Sequence, residues 1–209
     1  MSLGPFVRGL FGPHERRVAE AYRSIFIDID AFVALVHRWA PAAARILEVG
    51  CGEGAVTTRL AKAYPAAQIT AIDITPRVGR LYEGRRDSVE FKCAAVQTIA
   101  ASSPAGFDLV ILSDVLHHVP SDLRQGLIDS IRTALAPGGS FVFKDWERNF
   151  TPIHWLGYAA DRWVTGDRIS YLSRGQILAR LAASFGQASL AAEERVGPWR
   201  NNLAVLVRP

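Results

Sequence analysis

Short apolar runs alternate along this chain with longer stretches in which apolar residues recur every three or four positions. The apolar runs predict buried strands at 45–49, 67–74, 89–93, 107–112 and 140–145. Helical spacing follows three of them, at about 56–64, 94–101 and 122–136. Strands that alternate with helices predict an α/β fold, with a doubly wound, mostly parallel sheet that is covered on both faces.

Both ends of the chain depart from this alternation. Residues 6–39 have a helical pattern that precedes the first strand, and they predict an N-terminal helical cap. Near the other end, residues 173–176 have the spacing of a capping box, which predicts a helix to about Ser184. The tail predicts two strands joined by a Gly-Pro turn, at 188–196 and 203–207.

Composition narrows the class of protein. With 209 residues, 49% of them hydrophobic, the chain is long enough for one sizeable core and predicts a single domain. No apolar run approaches the roughly 18 to 20 residues of a membrane span, and we expect a cytoplasmic protein. Cys51 and Cys93 lack metal-ligand spacing, which favours a reducing compartment. The net charge of +4 comes from scattered residues, so no nucleic-acid partner is expected.

Three alternate glycines follow the first predicted strand, as Gly50-x-Gly52-x-Gly54. Glycine suits positions where the backbone turns sharply or touches a ligand, because a Cβ would collide there. The helix that follows directs free N–H groups at this loop and favours a bound carboxylate or phosphate. The spacing differs from the GxGxxG of dinucleotide-binding loops. A tight connection without a ligand is the alternative interpretation.

An acid ends the second predicted strand, about 20 residues beyond the glycine loop. A carboxylate at this place can accept hydrogen bonds from the two hydroxyls of a ribose, which is the role we predict for Asp73. The alternative is that Asp73 only caps a helix that begins near Pro76.

The combination of ILEVGCGEGA, AIDI, FDLVILSDVLHHVP and LAPGGSFVF resembles the class I S-adenosylmethionine-dependent methyltransferases, in particular the small-molecule branch related to ubiquinone-type enzymes. The resemblance covers about Arg45 to Asp145. It implies a Rossmann-like sheet of seven strands with an antiparallel C-terminal hairpin. It also implies methyl transfer to a small, partly apolar acceptor by in-line displacement, with S-adenosylhomocysteine as the product.

The resemblance also implies roles for individual residues. The end of the first strand and the glycine loop would hold the methionyl part of the cofactor, Asp73 the ribose and Ile74 the adenine. The family's acid after the third strand is Ala94 here, so that contact would come from backbone or from Gln97. The full set of expected cofactor-binding residues is Glu48, Gly50, Cys51, Gly52, Asp73, Ile74, Ala94, Ala95, Ser113 and Asp114.

A sulfonium methyl is already activated, so catalysis needs little beyond orientation and, for a hydroxyl acceptor, a base. The two histidines after the fourth strand, His117 and His118, are the candidate bases, with Asp145 as a third catalytic candidate. The alternative for both histidines is a place in the pocket wall or at a helix start.

Aromatic residues are dense between Trp146 and Leu172, which predicts a lid or acceptor pocket after the fifth strand. A packing arm or a dimer contact is the alternative. The candidate acceptor-pocket residues are Tyr22, Lys144, Trp146, His154 and Tyr158. The expected layout is a cap (1–41), a cofactor-binding core (45–145), the insertion (146–172) and a C-terminal helix with hairpin (173–209).

Two other functions stay open at this point, and the chain is expected to be a monomer or a homodimer. Asp114 and Asp145 end neighbouring predicted strands, as in metal-dependent O-methyltransferases, although Trp146 stands where a third oxygen ligand is usual. A non-catalytic protein that keeps the fold for cofactor binding or complex assembly is the second alternative. We expect a small-molecule substrate, no metal and no membrane span.

Overall fold

Seven strands form one sheet in the computed structural model, which describes residues 25–149, 151–153 and 169–209. Their bounds are β1 Arg45–Val49, β2 Gln68–Asp73, β3 Val89–Cys93, β4 Phe107–Ser113, β5 Leu135–Trp146, β6 Leu190–Arg195 and β7 Asn202–Val207. The order across the sheet is β3-β2-β1-β4-β5-β7-β6. Strands β1 to β5 are parallel to their neighbours, and β7 is antiparallel to both β5 and β6.

In the described parts of the chain, five α-helices cover the two faces of the sheet. They are α1 Ile29–Trp39, α2 Ala55–Ala63, α3 Val96–Ser102, α4 Arg124–Ala134 and α5 Arg174–Phe185. Residues of α1 and α2 pack with one apolar cluster of the sheet, and residues of α3, α4 and α5 pack with the other. The predicted doubly wound fold with a closing antiparallel hairpin is therefore confirmed. No helix in the described ranges is both long and apolar enough to cross a membrane.

The strand order reverses direction between β1 and β4, which are paired with each other; β2 lies on the far side of β1 and β5 on the far side of β4. Ligands of open α/β sheets bind outside the carboxyl ends of the strands at such a switch point. Two further connections approach this place. The 3₁₀ turn Leu116–His118 follows β4, and the chain before α1 is tied to the hairpin by a hydrogen bond from Asp28 N to Gly197 O of 2.9 Å.

Element boundaries differ from the predictions where turn signals compete with strand pairing. The segment Pro137-Gly138-Gly139 should end the helix predicted over 122–136 and precede the strand predicted over 140–145, but β5 begins before it because Leu135 already pairs with Phe107. A register shift then carries the strand to the pair of Leu109 with Ser140. The helix expected near Pro76 is wrong, since residues 74–88 form turns and bends.

The capping box is confirmed in full. The Ser173 hydroxyl accepts a hydrogen bond from Gln176 N, and the Gln176 side chain accepts one from Ser173 N at 3.0 Å. At the other end of the chain, α1 begins with Asp28 as its cap, whose Oδ1 accepts from Ala31 N at 2.8 Å. Most of the predicted helical cap lies outside the described residues.

Candidate active site

The glycine loop is docked on the end of β2 by its own backbone. Gly50 N and Cys51 N both donate to Ile72 O, at 2.8 and 3.0 Å. Gly50 has a φ of +78°, and a Cβ there would lie 2.1 Å from Val115 Cγ2. Only glycine fits this position, because both the backbone conformation and the close approach of Val115 exclude a side chain.

Asp73 braces the same loop from the end of β2. Its Oδ2 accepts a hydrogen bond from Gly52 N at 2.8 Å, and its Oδ1 accepts one from Thr75 N at 2.9 Å. The alternative role as a helix cap is wrong, since no helix follows, although the carboxylate does hold the turn at Thr75. Carboxylate oxygens accept more than one hydrogen bond, so these contacts leave Asp73 able to bind ligand hydroxyls at the rim of the loop.

A cavity of about 340 Å³ opens between this loop, the start of α1 and the ends of β4 and β5. That volume suits a small-molecule site. Ten of the residues predicted for the site line it: Glu48, Gly50, Cys51, Gly52, Ser113, Asp114, His117, His118, Lys144 and Trp146.

The other predicted residues lie elsewhere. Ile74, Ala94 and Ala95 follow β2 and β3 on the Asp73 side, beyond the cavity lining, and Ile74 is 81% exposed. Asp145 is buried beside the cavity rather than in its lining. Trp146, predicted as the start of the insertion, is the last residue of β5. Tyr22, His154 and Tyr158 lie outside the described residues.

Several lining residues were not among the predicted site residues: Phe26, Ile27, Ile29, Glu53, Tyr171 and Asn202. Phe26 contacts Trp146 edge to face at 6.0 Å, and the Tyr171 ring lies 4.9 Å from the His117 ring. The aromatic density around Tyr171 was a usable signal. Asn202 gave none, because nothing near it in the sequence marks a site.

Glu48 is the most unusual acid of the cavity wall. It is 3% exposed, and its Oε2 has no hydrogen-bond partner among the residues that the structure describes. Burial raises its pKa from 4.5 to about 7. Burial likewise raises the pKa of the neighbouring Cys51 thiol, so this cysteine is an inert thiol rather than a nucleophile.

His117 and Asp145 form a buried pair next to the cavity. His117 Nδ1 lies 2.5 Å from Asp145 Oδ1, and the same carboxylate accepts from His117 N at 3.1 Å and Trp146 N at 2.8 Å. Burial opposes the charge of Asp145, but the charge and hydrogen bond of His117, with the Trp146 N–H, lower its pKa overall. His118, on the same turn, is exposed.

Lys144 and Asp114 form a second pair in the lining. The Lys144 Nζ is 2.6 and 2.7 Å from the two carboxylate oxygens of Asp114, and Asp114 N donates to Lys144 O at 3.0 Å. Asp114 has a φ of +56°, which is rare for a residue other than glycine. Asp114 is thus bound to Lys144, and Asp145 is bound to His117. Because both strand-end carboxylates already have partners in the protein, a metal-dependent O-methyltransferase is not favoured.

A family model described as a methyltransferase domain matches residues 19–188. The chain belongs to this methyltransferase family. The resemblance to class I S-adenosylmethionine-dependent methyltransferases is thereby confirmed, and the family membership indicates S-adenosylmethionine as the cofactor.

Curated proteins that this methyltransferase resembles include ubiquinone biosynthesis O-methyltransferases. The ubiquinone biosynthesis O-methyltransferase of Idiomarina loihiensis is 33% identical over 129 residues, covering 58% of this chain and 50% of the relative. The protein of the same name from Xylella fastidiosa is 27% identical over 219 residues, and the alignment covers 97% of this chain and 83% of the relative. The chain spans about half to three fifths of the length of the first relatives that it matches.

Solved methyltransferase structures share the fold. The S-adenosylmethionine-dependent methyltransferase SibL superposes with a TM-score of 0.71 at 18% identity, covering 92% of this chain and 57% of SibL. The 1,6-didemethyltoxoflavin-N1-methyltransferase of Burkholderia thailandensis superposes with a TM-score of 0.68 at 18% identity, and the superposition covers 97% of this chain and 86% of that protein.

The residues of this methyltransferase fit S-adenosylmethionine on three observations. The space beyond Gly52 is open, because no described heavy atom other than those of its chain neighbours lies within 4 Å of the place that a Cβ would take. The Gly54 N-cap of α2 has no side chain, which leaves N–H groups of the first turn for a carboxylate. The unpartnered Glu48 Oε2 suits an ammonium group. Glu48, Gly52 and α2 would therefore hold the methionyl part, with Asp73 at the ribose.

Proposed function

We propose that this protein transfers a methyl group from S-adenosylmethionine to a hydroxyl of a small, partly apolar acceptor, with His117 as the base. The observation that carries the proposal is the buried contact of 2.5 Å between His117 Nδ1 and Asp145 Oδ1, because His117 lines the cavity that the glycine loop also lines. A hydroxyl must lose its proton as it accepts a methyl group, and histidine is suited to take a proton near neutral pH.

The surroundings of Asp145 determine which nitrogen of His117 is basic. Asp145 accepts two backbone N–H groups besides Nδ1, and its pKa is lowered, so it is an ionised acceptor. The Nδ1 atom must then be the donor of the pair, which puts the basic lone pair of a neutral ring on Nε2. Asp145 orients the ring and stabilises its protonated form, as the third group of a catalytic triad does.

S-adenosylmethionine, when bound, supplies the activated methyl group on its sulfonium. The chain's part is to orient the acceptor hydroxyl, exclude water and take the proton at His117 Nε2. The cavity suits this task, because the wall away from the glycine loop is aromatic, with Phe26, Trp146 and Tyr171. An acceptor with an aromatic ring fits that wall, and the names of the curated relatives favour oxygen as the methylated atom.

The test is transfer of a labelled methyl group from S-adenosylmethionine to a panel of phenols, with products identified by mass spectrometry. His117→Gln should lower kcat by about 10²- to 10⁴-fold with little change in the acceptor KM. The loss should shrink as the pH rises towards the pKa of the phenol, because the acceptor then ionises without a base. His118→Gln is the matched control on the same turn and should stay within a few-fold of wild type.

The result that overturns the role of His117 is an unchanged kcat and pH profile in His117→Gln. If S-adenosylhomocysteine binds but no acceptor of the panel is methylated, the non-catalytic alternative gains over methyl transfer.

A further inference from the structure

One face of the sheet carries a row of polar residues at its carboxyl-end edge, under α1. Paired residues of neighbouring strands point to the same face, as do residues two apart in one strand. Ser113 pairs with Lys144, Lys144 with Ala204 and Trp146 with Asn202. Lys144, Trp146 and Asn202 therefore share the face that α1 covers, while Asp145 points to the other face.

The Lys144 ammonium has one N–H donor more than the hydrogen bonds that it forms with described residues. It is 1% exposed and lines the cavity, and its ammonium gives one hydrogen bond to each oxygen of Asp114. An ammonium has three donors, and the third meets no acceptor among the described residues. Burying an ammonium is costly unless its protons are satisfied, which indicates an oxygen that arrives with a ligand.

Asn202 offers the complementary group. It is fully buried and lines the same cavity, and its Oδ1 has no hydrogen-bond partner in the described part of the chain. Its Nδ2 donates to Phe26 O at 2.7 Å. Because that carbonyl fixes which end of the amide is the donor, Oδ1 must present a lone acceptor. A buried acceptor without a donor is rare in folded proteins and needs an explanation.

Core packing does not explain these two residues. The positions that share their face further along β5 and β7 are apolar: Val142, Ala204 and Leu206. Lys144 and Asn202 are diagonal neighbours across the two strands, about 7–8 Å apart at the backbone. The polar pair begins only where the sheet reaches the cavity, on the β5–β7 side away from the glycine loop.

We propose that Lys144 and Asn202 form the recognition subsite for the acceptor, which takes an aromatic molecule with a hydrogen-bond-accepting oxygen beside a hydrogen-bond-donating hydroxyl or N–H. Lys144 Nζ donates to the first group and Asn202 Oδ1 accepts from the second. This inference rests on the proposed function and names the class of its substrate.

Three small probes of closely similar size test the subsite on wild-type protein saturated with S-adenosylhomocysteine, by calorimetry at millimolar probe concentration. 2-Methoxyphenol has both the donor and the acceptor, 2-ethylphenol lacks the accepting ether oxygen, and 1,2-dimethoxybenzene lacks the donor. We expect 2-methoxyphenol to bind at least about tenfold more tightly than either of the others, since a site with buried polar groups rejects a ligand that leaves them unpaired.

Two variants assign the preferences to the two side chains. Asn202→Leu should abolish the preference for 2-methoxyphenol over 1,2-dimethoxybenzene. Lys144→Met should abolish the preference for 2-methoxyphenol over 2-ethylphenol. Asn201→Leu is the control, because Asn201 is also buried but its amide bonds to Glu147 O and Asn149 outside the cavity lining. It should lower the melting temperature and leave both preferences intact in the folded protein.

Equal binding of the three probes to wild type, or no binding of any, overturns the subsite. So do preferences that persist in the Asn202→Leu and Lys144→Met variants. The comparison of probes on wild type stands even if a variant fails to fold. Failure of S-adenosylhomocysteine itself to bind is a separate result, which overturns the proposed function.

Discussion

Replacing Glu48 by glutamine should remove a pH-dependent destabilisation of the folded protein. Burial raises the pKa of this carboxyl from 4.5 to about 7, and its Oε2 accepts no hydrogen bond from the described part of the chain. The folded state therefore holds a proton that the unfolded state has lost between these pH values. Stability from this group is fully present below pH 4.5 and is lost as the pH rises through 7.

The magnitude follows from the size of the shift. At about 1.4 kcal/mol for each pKa unit, a rise from 4.5 to about 7 corresponds to roughly 3 kcal/mol of lost stability above pH 8. Glutamine keeps the shape of the side chain and cannot ionise. Relative to wild type, Glu48→Gln should therefore gain roughly 2 to 3 kcal/mol between pH 5 and pH 8.

The assay is urea unfolding of the cofactor-free protein at pH 5.0 and 8.0, followed by circular dichroism. Glu53→Gln is the matched control, because Glu53 lines the same wall but forms an ion pair with Arg80 at 2.9 Å. It should not become more stable, since that ion pair is lost. If the difference in unfolding free energy between Glu48→Gln and wild type is the same at both pH values, the raised pKa of a buried Glu48 is refuted.

Three further predictions follow from the same contacts. S-adenosylhomocysteine should bind roughly tenfold more tightly at pH 8 than at pH 6 in calorimetry, because its ammonium selects ionised Glu48, and Glu48→Gln should lose this dependence. Gly50→Ala should lower the unfolding free energy by about 2 kcal/mol or more, and Val115→Ala in the same chain should restore part of it; no restoration would contradict the 2.1 Å contact. Arg124→Met should cost about 2 to 4 kcal/mol in urea unfolding, because the buried guanidinium satisfies Val119 O and Ser170 O, both at 2.8 Å; a cost under 1 kcal/mol would count against that role.

Local chemistry made the strand, the glycine loop and the position of Asp73 predictable. The glycines, the apolar strand before them and Asp73 carry their information within about 25 residues, and the structure brings Gly52 N and Asp73 Oδ2 to 2.8 Å. The helix capping box is equally local and is confirmed in both of its hydrogen bonds. Such features depend on backbone conformation that nearby residues determine.

The acceptor side depends on contacts between distant segments, which the pattern does not contain. His117 and Asp145 are 28 residues apart, and only the alignment of the 3₁₀ turn beside β5 brings them together. Asn202 enters the cavity because its strand pairs antiparallel to β5 in one particular register. A shift of one residue would turn its side chain to the other face. The pairing of His117 with Asp145, and the place of Asn202 in the cavity, were therefore beyond a prediction from spacing alone.

Cofactor binding is measured by calorimetric titration of the purified protein with S-adenosylmethionine and S-adenosylhomocysteine, beside the Asp73→Ala variant. We predict micromolar binding to wild type, weakened by about 1 to 3 kcal/mol in the variant as hydrogen bonds to a charged group are lost. Absence of binding to wild type for both compounds would contradict the account.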